Sequence, residues 1–258
     1  MSRICFLGTG GAVATADRDN MSFLIESGGG TILTDCPGSV IQKIKKAGRN
    51  PLDIGAILVT HIHPDHIYGL PAFIHSLMLE DKEVRLFGSM ESVDFCRELL
   101  DLFHLQDPQI KIRVDFRPLG LGEVFRPADG VEAKTLKVPH HSSSLGFHFL
   151  FEDAGKRLVY SGDAAPYPPF FKEAREVDYL IHEASAPSRF FDLYPFLQRV
   201  HTHPLILGMM CQEAGVDCLI PCHFFGEIEY DLSEVENEIR KHFTGKIILP
   251  RDLMTLEL

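Results

Sequence analysis

Six consecutive residues, His61-Ile62-His63-Pro64-Asp65-His66, constrain the fold more than any other feature of the chain. This hexad follows an apolar run at 54–59 that indicates a buried strand. His61 and His63 are two positions apart, so in extended backbone their rings point the same way, and Pro64 then turns the chain. Imidazole and carboxylate groups favour zinc, iron or manganese over calcium. The hexad therefore predicts two metal ions side by side at a strand end, one held by each pair of ligands.

Length, charge and cysteine usage narrow the class of protein. A chain of 258 residues fits a single domain, 1–258, and no stretch approaches the ~20 apolar residues of a membrane span. The net charge of −11 argues against nucleic acid as a partner, because nucleic-acid-binding proteins usually carry a basic surface. The six cysteines are dispersed without a CxxC pair, which favours free thiols in the cytoplasm. The first residues are predicted to run directly into a strand, so we expect no signal peptide there.

Hydrophobic periodicity predicts an α/β protein with sheets in the middle and helices outside. Strands first cluster as hairpins and then alternate with helices, and this order occurs twice. Pro204 suits the first position of a helix and Gly215 its C-cap, whereas Ser233 and Glu236 suggest a capping box. The predicted strands are 4–7, 22–26, 31–34, 56–60, 84–87, 132–138, 146–151, 157–161, 179–182, 218–222 and 246–249. The predicted helices are 40–47, 71–79, 91–103, 169–175, 204–214 and 233–242.

Three later strand ends supply further candidate ligands, because two ions need more than four side chains. His140 or His141 ends one strand, Asp163 ends another, and His223 ends a third. A carboxylate binds one ion through each oxygen, so Asp163 is the natural bridge between the ions. The predicted ligand set therefore has seven members: His61, His63, Asp65, His66, either His140 or His141, Asp163 and His223.

In this order the residues resemble the metallo-β-lactamase superfamily. The similarity runs from Asp35, after an early strand, through the hexad, His140 and the Ser-Gly-Asp163 turn to His223. It implies a four-layer αββα sandwich with a dinuclear site at the sheet edges. It also implies that Asp35 orients a ligand histidine through a hydrogen bond.

Within that superfamily the chain is most similar to the ribonuclease Z-like branch, which contains tRNA-processing endonucleases and related phosphodiesterases. The similar motifs are the glycine-rich opening at 6–11, His182-Glu-Ala-Ser and His201-Thr-His. The branch's spacing selects His140 rather than His141 as the ligand. The resemblance implies a homodimer and a phosphodiesterase whose nucleophile is a hydroxide bridging the ions. Asp65 would then orient that hydroxide and accept its proton, and His201, backed by Glu183, would protonate the leaving group.

Departures from that branch bear on the substrate. Only 23 positions separate His140 from Asp163, so the long arm that grips tRNA in ribonuclease Z is missing. Segments 36–39 and 224–226 also lack the branch's usual phosphate-contacting residues. A small phosphodiester or ester is therefore the expected substrate. The alternatives are a carboxylic ester, lactone or thioester hydrolase, a tRNA 3′-processing endonuclease, and a metal-binding subunit without activity.

Several residues near these motifs have two interpretations each. His182 is predicted to be structural, whereas His203 either caps the next helix or lines the pocket. The aromatic segment 189–196 either packs over the edge of the sandwich or forms a pocket wall that selects an aromatic or hydrophobic group. The opening glycine-rich loop lacks the spacing of a nucleotide-binding motif and is predicted to lie at the rim of the site.

Overall fold

In the computed structural model, which describes residues 2–258, fourteen strands form two sheets of seven. In chain order the strands are β1 (Arg3–Gly8), β2 (Ser22–Ser27), β3 (Gly30–Thr34), β4 (Ile54–Leu58), β5 (Glu83–Gly88), β6 (Arg113–Pro118), β7 (Val124–Ala128), β8 (Val131–Lys137), β9 (Leu145–Phe151), β10 (Lys156–Tyr160), β11 (Tyr179–Glu183), β12 (Cys218–Cys222), β13 (Lys246–Ile247) and β14 (Thr255–Glu257). The helices are α1 (Val40–Lys46), α2 (Pro64–Ile67), α3 (Leu70–Ser76), α4 (Met90–Leu102), α5 (Pro168–Glu173), α6 (Ser188–Leu193), α7 (Pro204–Ala214) and α8 (Leu232–Arg240). Short 3-10 helices cover Pro51–Asp53 and Pro195–Arg199.

The two sheets have the same construction. The first has the order β14-β1-β2-β3-β4-β5-β6 and the second β13-β12-β11-β10-β9-β8-β7. In each sheet, one half is antiparallel and the other is parallel, with β3 and β10 at the change of direction. The predicted order of hairpins followed by strand–helix alternation, occurring twice, is therefore confirmed.

The hydrophobic core has three layers, because each sheet is covered on both faces. In β9, Phe147, Phe149 and Phe151 alternate with less buried residues and pack between the sheets together with Phe6 and Phe23. A second cluster joins the first sheet to α1, α3 and α4, and a third joins the second sheet to α5, α7 and α8. This arrangement confirms the predicted αββα sandwich. That all of it folds as a single domain stays a prediction.

Some elements differ from the sequence prediction. Strands β6, β7 and β14 were not predicted. β6 is a half-exposed edge strand ending in proline, β7 contains Pro127, and β14 has three residues, so none shows a clear apolar pattern. The predicted capping box at Ser233 and Glu236 is wrong. The cap lies two residues earlier, at Asp231 and Glu234, because α8 begins at Leu232. No helix within residues 2–258 is long and apolar enough to cross a membrane.

The carboxyl ends of several strands meet along one edge of the sandwich. The segments after β3, β4, β8, β10 and β12 carry Asp35, the hexad, His140, Asp163 and His223, and Glu183 is the last residue of β11. Strand ends of both sheets thus supply one site. Asp35 and His223 have positive φ angles of 58° each, a conformation uncommon outside glycine that concentrates at functional positions.

Candidate metal centre

The hexad folds back on itself because a short helix follows the strand. β4 ends at Leu58, and α2 begins at Pro64, where the missing backbone N–H of proline costs nothing. This turn brings Asp65 and His66 beside His61. The His61 and His66 rings are fully buried, and their centroids are 4.1 Å apart.

Three histidine nitrogens converge in what we call the first ligand group (His61, His63, His140 and Asp163). His63 Nδ1 lies 3.0 Å from His61 Nε2 and 3.0 Å from His140 Nε2. Asp163 Oδ2 lies 3.9 Å from His61 Nε2 and 3.7 Å from His140 Nε2. Four donor atoms within 4.8 Å of one another match the number that zinc sites commonly use.

The second ligand group contains Asp65, His66, Asp163 and His223. Asp163 Oδ1 lies 3.4 Å from His66 Nε2, and Asp163 Oδ2 lies 3.1 Å from His223 Nε2. Asp65 Oδ2 lies 3.4 Å from His66 Nε2 and 3.5 Å from His223 Nε2. Asp163 is thus common to both groups, which is the placement required of a carboxylate that bridges two ions.

The bonding state of the donor atoms fits a pair of divalent ions. His66 Nε2, His223 Nε2 and Asp163 Oδ1 are buried and have no hydrogen-bond partner within the described chain. Buried polar atoms are rarely left without a partner, because an unpaired group costs about 1–3 kcal/mol. The orphaned atoms face the shared centre of the second group, and binding an ion there would satisfy them.

Hydrogen bonds on the far side of two rings fix which nitrogen faces the centre. His66 Nδ1 donates to Asp35 Oδ2 over 2.8 Å, and His140 Nδ1 donates to the Val200 carbonyl over 2.7 Å. In a neutral ring with its proton on Nδ1, Nε2 keeps a free lone pair. Both rings therefore present Nε2 for metal binding, as histidine ligands held by an outer hydrogen bond do. Asp35 has the orienting position that the resemblance implied.

Burial and neighbouring charge shift the histidine pKa values of the two ligand groups in opposite directions. Burial lowers the pKa of His61, His63 and His140, which keeps these rings in the neutral form that binds metal. Burial also opposes charge on His66 and His223, but Asp163 and its neighbouring carboxylates prevail, so the pKa of each is raised, that of His223 to about 9. The carboxylates thus favour positive charge at the second group, which a divalent ion supplies as a proton does.

Glu183 and His201 form a second constellation beside the ligands. Glu183 Oε2 accepts from His201 Nδ1 over 2.9 Å and also from the Ser185 hydroxyl, and Oε1 accepts from the Ala164 backbone N–H. Burial opposes charge on His201, but the Glu183 carboxylate outweighs it and raises the pKa of His201. The His201 ring lies 5.0 Å from that of His140, centroid to centroid. Since Nδ1 is engaged by Glu183, Nε2 is left to face the cavity.

A cavity of about 450 Å³ opens onto these side chains. Its floor contains ligands of both groups and His201, and its wall is largely apolar. One charged side chain, Glu227, lies on that wall, and no lysine or arginine does so among the described lining residues. The wall is formed by Ala12, Phe190, Tyr194, Phe196, Leu197, Phe225, Glu227 and Ile228.

The structure separates the alternatives that the sequence left open. It places His140 in the first ligand group, whereas His141 Nδ1 bonds the Ser143 hydroxyl instead. His182 is buried between Phe170 and Phe171, as a structural residue would be. His203 caps α7 by accepting from the Ile206 N–H.

The aromatic segment divides between its two predicted roles, since Phe191 packs in a small core cluster while Tyr194 and Phe196 line the cavity. The glycine-rich loop lies at the rim, where a side chain at Gly11 would come within 3.3 Å of the His223 ring. Sequence reasoning missed Phe225 and Glu227. The signal for them was their position two and four residues after His223.

Comparison of the sequence with known proteins assigns the chain to a family. Residues 2–203 match the sequence profile of the family described as "Anti-Pycsar protein Apyc1". The chain belongs to that family. The match to the Apyc1 family spans the hexad, His140, Asp163, Glu183 and His201, and His223 lies beyond it.

Relatives of this Apyc1-family protein belong to the ribonuclease Z-like branch of the metallo-β-lactamase superfamily. It is 24% identical to ribonuclease Z of Methanosarcina acetivorans, over 100% of this chain and 98% of that one. Their alignment extends over 308 positions, more than the 258 residues of this chain, so the relative carries segments that this chain lacks.

Two solved structures share the fold. The metallo-β-lactamase fold protein YhfI of Bacillus subtilis superimposes with a TM-score of 0.83 and 17% identity, over 99% of this chain and 98% of that one. The short form of human tRNase Z superimposes with a TM-score of 0.78 and 20% identity, again over 99% and 98%. These neighbours confirm the metallo-β-lactamase fold that the sequence resemblance implied.

Proposed function

We propose that this protein is a dinuclear metal-dependent hydrolase that cleaves small phosphodiesters. The single observation that carries the proposal is that the one carboxylate of Asp163 belongs to both ligand groups. Two divalent ions bound there would supply Lewis-acid chemistry, by lowering the pKa of an attacking water and stabilising charge on the phosphoryl oxygens. Zinc is the proposed metal, since five imidazoles and two carboxylates suit it, and manganese or iron remain alternatives.

The protein's own side chains divide the proton transfers between two sides of the cavity. Asp65 lies on the floor and is partly exposed, so its carboxylate is placed to orient the attacking water and accept its proton. His201 also lines the cavity, and Glu183 holds its Nδ1. His201 Nε2 is therefore placed to donate a proton to the leaving oxygen.

The shape and charge of the cavity support a small substrate. A second phosphate would meet no lysine or arginine among the described lining residues, and Glu227 would repel it. The apolar wall suits a flat or hydrophobic substituent on the phosphodiester. Between His140 and Asp163 the chain is occupied by β9, β10 and short turns, which supports the absence of a tRNA-gripping arm.

Processing of tRNA 3′ ends is the second candidate, favoured by relatives that are named ribonuclease Z. The metal-loaded protein separates the candidates when it is offered bis(p-nitrophenyl) phosphate, a cyclic nucleotide, a lactone and a pre-tRNA. We expect turnover of the small phosphodiesters at least about tenfold faster than that of the lactone or the pre-tRNA. Turnover of pre-tRNA alone would favour the second candidate, and turnover of the lactone alone would indicate carbonyl chemistry. No turnover with both ions bound would indicate a non-catalytic metal-binding subunit.

We further propose a homodimer that forms through an apolar groove between α2, α3 and α4. The groove has a volume of about 650 Å³, and Ile62 and Pro64 of the hexad lie on it. Exposed Tyr68, Leu102 and Phe103 lie on it, and an exposed apolar patch of this kind marks an interaction site. Leu102→Asp should shift the sedimentation coefficient from dimer to monomer, whereas a monomeric unmodified protein would refute this proposal.

The proposed location is the cytoplasm. All six cysteines of the described chain are buried free thiols, which supports a reducing compartment.

A further inference from the structure

Thr60 lies directly before the first metal ligand and is almost fully buried. Its hydroxyl oxygen is 2.9 Å from Asp35 Oδ2, 3.0 Å from Asp35 Oδ1 and 3.0 Å from His61 Nδ1. A single hydroxyl thus stands between the orienting carboxylate and His61, a ring that Asp35 does not contact itself.

The chemistry of the three groups determines which of them donates each hydrogen bond. An ionised carboxylate only accepts hydrogen bonds, so the one hydroxyl proton of Thr60 goes to Asp35. The Thr60 oxygen is then left to accept, and the partner with a proton to give is His61 Nδ1–H. With its proton on Nδ1, His61 presents the Nε2 lone pair to His63 and Asp163 in the first ligand group.

Asp35 therefore faces both ligand groups through different contacts. It accepts directly from His66 Nδ1 of the second group over 2.8 Å. It reaches His61 of the first group through the Thr60 hydroxyl, and the Thr60 backbone N–H, 2.8 Å from Oδ1, fixes the carboxylate. The Tyr160 hydroxyl approaches Oδ2 at 3.4 Å from the opposite sheet.

Thr60 also contacts the loop that carries the bridging carboxylate. Gly162, at φ 60°, precedes Asp163, and a side chain there would come within 3.1 Å of Thr60 Cβ. The Thr60 carbonyl accepts from the Leu145 N–H of β9 over 2.9 Å. Thr60 is thus held from both sheets, which gives its hydroxyl little freedom to turn away from Asp35 and His61.

We propose that Thr60 is a positioning residue, through which Asp35 orients His61 for the first ion. The inference rests on the proposed metal centre and adds that the two ligand groups depend unequally on one hydroxyl. Loss of that hydroxyl should weaken the ion of the first group, since His66 keeps its direct bond to Asp35.

Thr60→Val removes the hydroxyl at nearly unchanged side-chain volume, whereas Thr60→Ser retains the hydroxyl and loses the methyl group. Thr34→Val is the matched control, because Thr34 is also buried and its hydroxyl has no hydrogen-bond partner within residues 2–258. Zinc affinities are measured by competition with a chromophoric chelator. We expect Thr60→Val to lower the affinity for one of two ions by ~10–100-fold, as loss of an orienting partner does. Thr60→Ser and Thr34→Val should stay within about threefold of the unmodified protein by the same scale.

A spectroscopic measurement on the unmodified protein tests which nitrogen of His61 carries the proton. In metal-free protein labelled with ¹⁵N-histidine, we expect the His61 signals of an Nδ1–H ring. A ring protonated at Nε2 would overturn the inference even if Thr60→Val failed to fold. So would a Thr60→Val protein that binds both ions as tightly as the unmodified protein, or that loses both equally. Unmodified protein that binds fewer than two ions would refute the proposed function as well.

Discussion

The floor of the cavity and its wall differ in polarity and in exposure. On the floor, buried histidines and carboxylates hold one another in place, and burial and charge together set their pKa values. On the wall, Tyr194 and Phe196 are at least half exposed, and Glu227 is the one charged side chain there among the described lining residues. The residues that determine the reaction type are therefore separate from those that select the substrate. Changes to the floor should alter turnover or metal binding, whereas changes to the wall should alter substrate affinity.

The largest effect is expected from the carboxylate that the two groups share. Asp163→Ala removes the donor common to both ligand groups, so both ion affinities and the turnover number should fall. Since metal ions supply several kcal/mol of transition-state stabilisation, we expect about 10³-fold or greater loss of kcat. Metal analysis and phosphodiester hydrolysis measure this. Asp115→Ala, which breaks only an exposed ion pair with Arg117, is the control. Retention of both ions with full activity in Asp163→Ala would refute the bridge.

His201→Ala should lower kcat by ~10²–10⁴-fold without loss of metal, because it removes a proton donor from the floor. The effect should depend on the leaving group. An alkoxide needs a proton and should show the full loss, whereas p-nitrophenolate leaves unaided and should show little. Kinetics with both kinds of ester measure this difference, and His242→Ala, in the exposed turn after α8, is the control. Equal losses with both leaving groups would instead assign His201 a structural role.

A wall residue should change affinity rather than turnover. Phe196 is 62% exposed and lines the cavity, so Phe196→Ala should raise KM for an aromatic phosphodiester about tenfold, the equivalent of one aromatic contact, and leave kcat unchanged. Leu121→Ala provides the matched control. It removes an apolar side chain that is also 62% exposed but does not line the cavity. If kcat fell instead of KM rising, the wall would take part in the reaction and the contrast would fail.

The smallest effect is expected at Glu227, whose exposed carboxylate is screened by water. Glu227→Lys should lower KM for a substrate with a second phosphate about threefold and affect a singly charged phosphodiester less. Glu229→Lys, which changes the charge two residues away beside a neighbouring groove, tests whether position matters. Equal effects of the two variants would show that only the overall charge matters, and that Glu227 does not select the substrate.

The parts of the site that the sequence predicted are those encoded locally or by a motif. The hexad is local, so its six residues alone indicated two ions. His140, Asp163 and His223 follow separate strands of the second sheet, and only their order along the chain and the family resemblance joined them to the hexad. The role of Thr60 depends on a three-dimensional approach of Asp35, and that of Glu227 on the path of a loop. Neither leaves a periodic pattern, and the sequence signal for each is only its nearness to a predicted ligand, His61 or His223.

Prediction of the strands from the sequence also depends on a local pattern. The sequence predicts β9 from a short apolar run at 146–151, whereas the edge strands β6 and β7 have mixed, half-exposed faces. Pairing with a neighbouring strand, rather than their own composition, makes them strands.

A metal titration of the metal-free protein tests most directly whether the enzyme is dinuclear, with bound ions and phosphodiester turnover measured on the same samples. Because Asp163 belongs to both ligand groups, we predict two zinc ions per chain and turnover that rises in proportion to the second ion. Full turnover at one ion per chain, or none at two, would show that the protein is not a dinuclear phosphodiesterase.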